Sequence, residues 1–216
     1  MKKSVIIFVG VLTEYQGVDL LLEAVPYVVQ KVPESKFLIV GYPNEEHYRQ
    51  KARDLGVQAW VHFTGRISYE DVPRYLSLAD IAVSPKLSPT EANLKLFTYM
   101  AMGLPTVVFD NPINREILGD VGVYAEMVNS MALADALIRV LTDKEWAKQV
   151  GLLSRQKAAD EYSWSLVGKR LDDIYNSVGN GSIGNGQNGS SKENANGQIE
   201  DIGDRRSRFH GFPSNK

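Results

Sequence analysis

Six short runs rich in Val, Ile and Phe, separated by stretches of helical periodicity, constrain this chain more than any other feature. They are VIIFVG at 5–10, KFLIVG at 36–41, WVHFT at 60–64, DIAVS at 80–84, TVVFD at 106–110 and GVYA at 122–125. Runs that are apolar nearly throughout, rather than alternating with polar residues, suit strands covered on both faces. The segments between them, 18–31, 45–55, 69–78, 90–102 and 113–118, carry apolar residues at helical spacing. Strand and helix in alternation predict an α/β domain, a Rossmann-like parallel sheet with helices on both faces. Pro26, inside the first helical stretch, is expected to kink it or tighten its early turn. Three more helical stretches follow the last strand, at 130–141, 144–162 and 163–178.

At 216 residues, 44% hydrophobic, the chain is long enough for one substantial core. A net charge of −2 gives no electrostatic reason to expect nucleic acid as a partner. Cys is absent and the histidines, His47, His62 and His210, are scattered, so neither a disulfide framework nor a metal site is expected. The opening MKKSVIIFVG is interrupted at Gly10, too early for a secretory or membrane-spanning segment, and a cytoplasmic protein is expected. From Gly179 the composition turns to Gly, Asn, Ser and Gln, which predicts a domain over 1–178 and a disordered low-complexity tail over 179–216. Gly179, Gly181 and Gly184 have the spacing of a dinucleotide fingerprint without its strand and helix, and the sequons at Asn180 and Asn188 matter only in a secreted protein.

The segment SPKLSPTEANLKLFTYMAMGLP, 84–105, carries the chemistry. It reads as a strand end, a polar turn and a helix over 90–102, with Ser88 as N-cap and Pro89 in the first helical position. In an open α/β sheet this is where ligands bind, and amides at a helix start attract anions. The amides near Thr90, Ala92 and Asn93 are therefore candidate phosphate contacts.

This segment, set in the ordered succession IIFVGVLTEYQGVDLLLEA, FLIVG, VHFTGRISYEDVPRYLSLADIAVSP and GLPTVVFDNPINREILGD, resembles the retaining group 1 glycosyltransferases of the GT-B fold. The resemblance covers 5–178 and is to their C-terminal, nucleotide-sugar-binding half. It implies a donor-binding domain that takes a nucleoside diphosphate sugar and transfers the sugar to an acceptor with its anomeric configuration kept, in polysaccharide biosynthesis. It further implies a separate or missing N-terminal acceptor-binding domain as partner, with peripheral membrane association possible through that domain. No cofactor or metal is demanded, because amides and cations would stabilise the leaving diphosphate.

Departures from the family pattern fall at the diphosphate. An arginine and a lysine usually flank the glycines of the first loop; here Val11 and Gln16 stand there, between Gly10 and Gly17. A hydrogen bond to a charged group contributes about 1.5 to 3 kcal/mol, so another cation is needed. Lys86 and Lys95 are the candidates: Lys86 as ligand or as a solvated loop lysine, Lys95 as ligand or as the i, i+4 partner of Glu91. The family's paired glutamates lie eight residues apart. The second position is Thr98, which cannot clasp a ribose diol, and Glu91 stands beside the first. Glu91 is the candidate catalytic residue at the donor sugar, or else the closing member of a capping box with Ser88. Arg66 either stacks on the base or faces solvent, and Arg115 and Glu116 form a charged first turn. The tryptophans, Trp60 and Trp164 among them, are expected to anchor packing. Two other readings stay open: a non-catalytic nucleotide-sugar-binding or interaction module, favoured by Val11, Gln16 and Thr98, and a sugar-nucleotide epimerase-like protein. The chain by itself is expected to be inactive as a transferase.

Overall fold

The computed structural model describes residues 3–88 and 90–180. Six strands, β1 (Ser4–Val9), β2 (Ser35–Val40), β3 (Val61–Gly65), β4 (Ile81–Ser84), β5 (Thr106–Phe109) and β6 (Gly122–Ala125), form one sheet in the order β3-β2-β1-β4-β5-β6. Every pairing is parallel, with Ile6 opposite both Phe37 and Ile81 in the middle of the sheet. Each expected strand is present within a residue or so of its boundaries.

Among the described residues eight α-helices accompany them: α1 (Val18–Lys31), α2 (Glu45–Asp54), α3 (Val72–Leu76), α4 (Lys95–Ala101), α5 (Pro112–Leu118), α6 (Ser130–Thr142), α7 (Lys144–Tyr162) and α8 (Trp164–Asn180). Neighbouring strand residues feed opposite faces. Ile6, Phe8, Phe37, Ile39 and Phe109 pack with Leu21, Leu22 and Val25 of α1 and Leu133 and Leu137 of α6. Ile7, Val40, Ala82 and Val108 pack on the other face with Leu96, Tyr99 and Met100 of α4 and Leu118 of α5. Both faces being covered is why the strands read as continuous apolar runs.

Chain order reverses between β1 and β4. The connections leaving these two adjacent strands go to opposite faces, the arrangement beyond whose carboxyl ends open α/β sheets bind ligands. This topological switch point positions the candidate site.

Three expectations are corrected. The helix expected over 90–102 begins five residues late, at Lys95. Ser88 Oγ accepts the amides of Thr90 and Glu91 at 3.3 and 3.1 Å, as a cap would. The chain then fails to coil because Asn93, 2% exposed, is drawn inward. Its Nδ2 donates to Ser84 Oγ at 3.0 Å and to Asn114 Oδ1 at 3.2 Å. A buried polar network of this kind outweighs the few tenths of a kcal/mol at stake in local helix preference. The stretch 69–78 divides into a 3-10 turn, Tyr69–Asp71, and the short α3 with Pro73 in its first turn. Trp60 does anchor the start of β3, its Nε1 donating to Pro33 O at 3.0 Å, but Trp164 is 89% exposed and anchors nothing.

The chain divides into two units, Met1–Ile174, which holds the sheet and its covering helices, and Tyr175–Lys216. The expected tail begins within the last turn of α8, which runs to Asn180. The rest of it, with Gly181, Gly184, the Asn188 sequon and His210, lies outside the described residues, as does Pro89. Among the described residues no helix is long and apolar enough to cross a membrane.

Candidate functional site

The loop after β1 begins at Gly10, whose amide donates to Val40 O at 2.9 Å, and closes at Gly17. Gly17 has φ +74°, and a Cβ there would collide with the carbonyl oxygen of Pro85 in the loop after β4. Only glycine allows so close an approach in that conformation. Leu87 N donates to Tyr15 O at 3.1 Å, so the two loops are also joined through their backbones.

Two lysines enter this junction. Lys86, 6% exposed, donates through Nζ to Glu91 Oε2 at 3.0 Å and to Ala92 O at 3.2 Å, and lies 5.4 Å from the centre of the Tyr15 ring. It is not a solvated loop lysine. Lys95, on the first turn of α4, reaches back to the β1 loop. Its Nζ donates to Gln16 Oε1 at 2.7 Å and stands 4.5 Å from the centre of the Phe8 ring. A Cβ added to Gly10 would come within 2.8 Å of that ammonium. Lys95 therefore makes no i, i+4 pair with Glu91. The helix is aimed by Tyr99, whose buried hydroxyl accepts the Val9 amide at 2.9 Å and so ties α4 to the end of β1.

The electrostatics follow from these contacts. Burial, and then the neighbouring positive charge of Lys86, push the Lys95 ammonium down to about 7. The exposed Glu91 carboxyl is held below its ordinary value by hydrogen bonds from Tyr15 first and Lys86 second. Burial raises the Tyr99 hydroxyl, which stays neutral.

The junction thus brings together Gly10, Gln16, Gly17, Lys86, Glu91, Ala92 and Lys95, with Val11 half exposed at its edge. Thr90 and Glu91 do not offer free amides to a phosphate, because Ser88 Oγ holds both; positive charge comes from two lysine side chains instead of a helix start. Asn93 braces the loop from inside. Arg66 lies two strands away, 4.9 Å from the centre of the Tyr42 ring at the ends of β3 and β2. Thr98 lines a separate groove of about 420 Å³ with Phe97, Ala101, Tyr162 and Trp164. Arg115 forks onto Asp110 at 2.6 and 2.7 Å, in keeping with a charged first turn. Sequence reasoning missed Tyr15, which serves Glu91 and Lys86, and Phe8, the floor beneath Lys95. Phe8 reads as core in any strand, and a lone loop tyrosine has no periodic signal. Among the described residues no group of His, Asp and Glu is placed to hold a metal.

The sequence profile described as "Glycosyl transferases group 1" matches residues 3–143, well over half of the chain. The chain belongs to the group 1 glycosyl transferases. Among its curated relatives in that family, the phosphatidyl-myo-inositol mannosyltransferase of Mycobacterium leprae (strain TN) is 28% identical over 165 residues, 76% of this chain and 43% of that protein. The alpha-D-kanosaminyltransferase of Streptomyces kanamyceticus is 27% identical over 180 residues, 82% of this chain and 46% of that protein. This group 1 chain therefore spans less than half the length of the relatives it matches. Its fold is shared with Anabaena Alr3699/HepE, solved in complex with UDP and glucose, at a TM-score of 0.71 and 18% identity over 81% of this chain and 48% of that one. A glycosyltransferase from Rickettsia africae ESF-5 gives a TM-score of 0.75 at 19% identity, over 84% and 49%. The six-stranded parallel domain is thus the half-molecule fold of GT-B glycosyltransferases.

Proposed function

We propose that this group 1 chain is the donor-binding half of a retaining transferase that takes a nucleoside diphosphate sugar and passes the sugar to an acceptor held by an N-terminal domain. The observation that carries the reading is the meeting of Lys86 and Lys95 at the switch point of the sheet, where Lys95 has, among the described residues, a neutral partner only. In this reading the diphosphate lies across Gly10, Val11 and Gly17, with Ala92 on the β4 side, braced from within by the buried Asn93, and Thr90 at the entrance. Glu91 faces the donor sugar and Arg66 the base, while Thr98 stands outside this site, in the groove beside Trp164. No cofactor or metal is invoked in this reading. The acceptor domain supplies any peripheral membrane contact, as the phosphatidyl-myo-inositol named for the Mycobacterium relative suggests.

Calorimetric titration of UDP, GDP and their sugar conjugates into the chain tests the donor site. Binding of a conjugate at micromolar to millimolar concentration supports it; absence of binding by all four sinks it. A second reading, a binding module without turnover, is favoured by the neutral Val11 and Gln16. Addition of an N-terminal domain from a relative separates the two, because orienting an acceptor against the donor accounts for about 7 to 11 kcal/mol of a barrier. Sugar transfer by the reassembled pair, above donor hydrolysis, favours the transferase; the chain alone should show none.

A further inference from the structure

Among the described residues the Lys95 ammonium has no counter-ion. From β1 it meets the Phe8 ring and Gly10, which carry no charge. From the turn after β1 it meets Gln16, a neutral amide, next to Tyr15, which serves Glu91. From the loop after β4 the charged group acting on it is Lys86, of its own sign, while the Glu91 carboxylate is engaged by Lys86. Along α4 the titratable neighbour is Tyr99, whose hydroxyl is turned to the Val9 backbone. A charge enclosed in this way, with a like charge beside it, is held at a cost that an arriving anion removes.

We propose that Lys95 is the cation that receives the donor diphosphate and that it takes up a proton as the donor binds, so that loading of the site weakens as the solution becomes alkaline. The inference rests on the donor-binding reading given above. The free ammonium is pushed down to about 7, and a diphosphate beside it returns the group towards an ordinary lysine value. Below about pH 7 the group is charged in both states and affinity is at its greatest. Above that value binding must draw a proton from solution, and affinity falls by up to tenfold for each pH unit until the value of the complex is reached, as linkage requires. Lys86 differs in that its ammonium is already engaged by the Glu91 carboxylate.

The test uses UDP-glucose and GDP-mannose between about pH 6 and about pH 8, where the diphosphate diesters do not titrate and the uracil and guanine rings stay neutral, so that the pH dependence belongs to the protein. Affinity for the native chain should fall across that range, and titration in buffers of different ionisation heat at about pH 8 should show uptake of about one proton. K95R keeps the charge and removes the titration, so its affinity should be level with pH. K95M should bind weakly and equally weakly throughout. Conjugate binding by the native chain that is level with pH and takes up no proton would overturn the inference while leaving the donor site intact. Native-like affinity in K95M would overturn it as well. Absence of conjugate binding at any pH would remove the donor site itself and the inference with it. Should either variant fail to fold, as melting curves reveal, proton uptake by the native chain decides alone.

Discussion

Gly17 and Pro85 meet where the loops after β1 and β4 cross, so closely that a single Cβ on Gly17 would overlap the Pro85 carbonyl oxygen. That contact sets the distance between Gln16 on one loop and Lys86 on the other, and with it the width of the candidate donor site. Two loops that belong to different crossovers are held together by the absence of a side chain.

G17A should therefore be costly twice over. An alanine at φ +74° costs about 1 to 2 kcal/mol, and the backbone collision adds to it. The control is G56A, at φ +69° with open space around it, which should show the conformational cost alone. In urea denaturation G17A is expected to lose at least about 1 kcal/mol more than G56A. Equal losses would mean that the two loops do not depend on this contact.

K95M should stabilise the chain. A lysine whose folded value lies near 7, below its unfolded value of 10.5, costs stability that is fully present below pH 7 and disappears as pH rises towards the unfolded value. Stability of the native chain should thus rise from about pH 7 to about pH 10, by at most about 1.4 kcal/mol per unit, relative to K95M. The check is the difference between the two melting curves against pH. A variant less stable than the native chain at neutral pH would show that Lys95 serves chiefly to hold Gln16 and the β1 loop.

E91Q leaves the Ser88 contact with the loop amides untouched, because those bonds run to the backbone. The Glu91 carboxylate is largely exposed, so the change in stability should stay below about 1 kcal/mol. Its effect on binding should be specific. Lys86 loses a competing carboxylate, so UDP itself should bind more tightly, while a UDP-sugar conjugate should lose its advantage over UDP. Calorimetry of both ligands gives the ratio; an unaltered ratio would remove Glu91 from the donor sugar.

V128N should also stabilise, at a site remote from this chemistry. Val128 is exposed and sits at φ +56°, just before the Asn129 cap of α6. A β-branched residue is strained there, and asparagine adopts that conformation readily without loosening the unfolded chain. The expected gain is about 1 kcal/mol, read from urea midpoints at constant slope. V128G should gain less, because glycine adds unfolded-state entropy.

The sheet was legible because its signal is local. Six apolar runs, the helical stretches between them and the order in which they come leave few parallel topologies. The end of the central strand β4 at Ser84 was legible in the same way. What could not be read was the course of 90–94. Ser88 and Glu91 have the spacing of a helix start, and nothing nearby in sequence says that Asn93 will instead turn inward to Ser84 and to Asn114, 21 residues away.

The sequence by itself determined the alternation of strand and helix, the two covered faces, the family and the pair of lysines available to an anion. It did so because burial pattern and residue chemistry are properties of short stretches. Only the tertiary structure decided what each lysine does. Lys86 and Lys95 are nine residues apart, yet one ends on a carboxylate and the other, on the loop after β1, on the amide of Gln16, 79 residues away in the chain. Whether a buried charge is compensated depends on which groups the fold brings within a few ångströms, and sequence spacing does not record that distance.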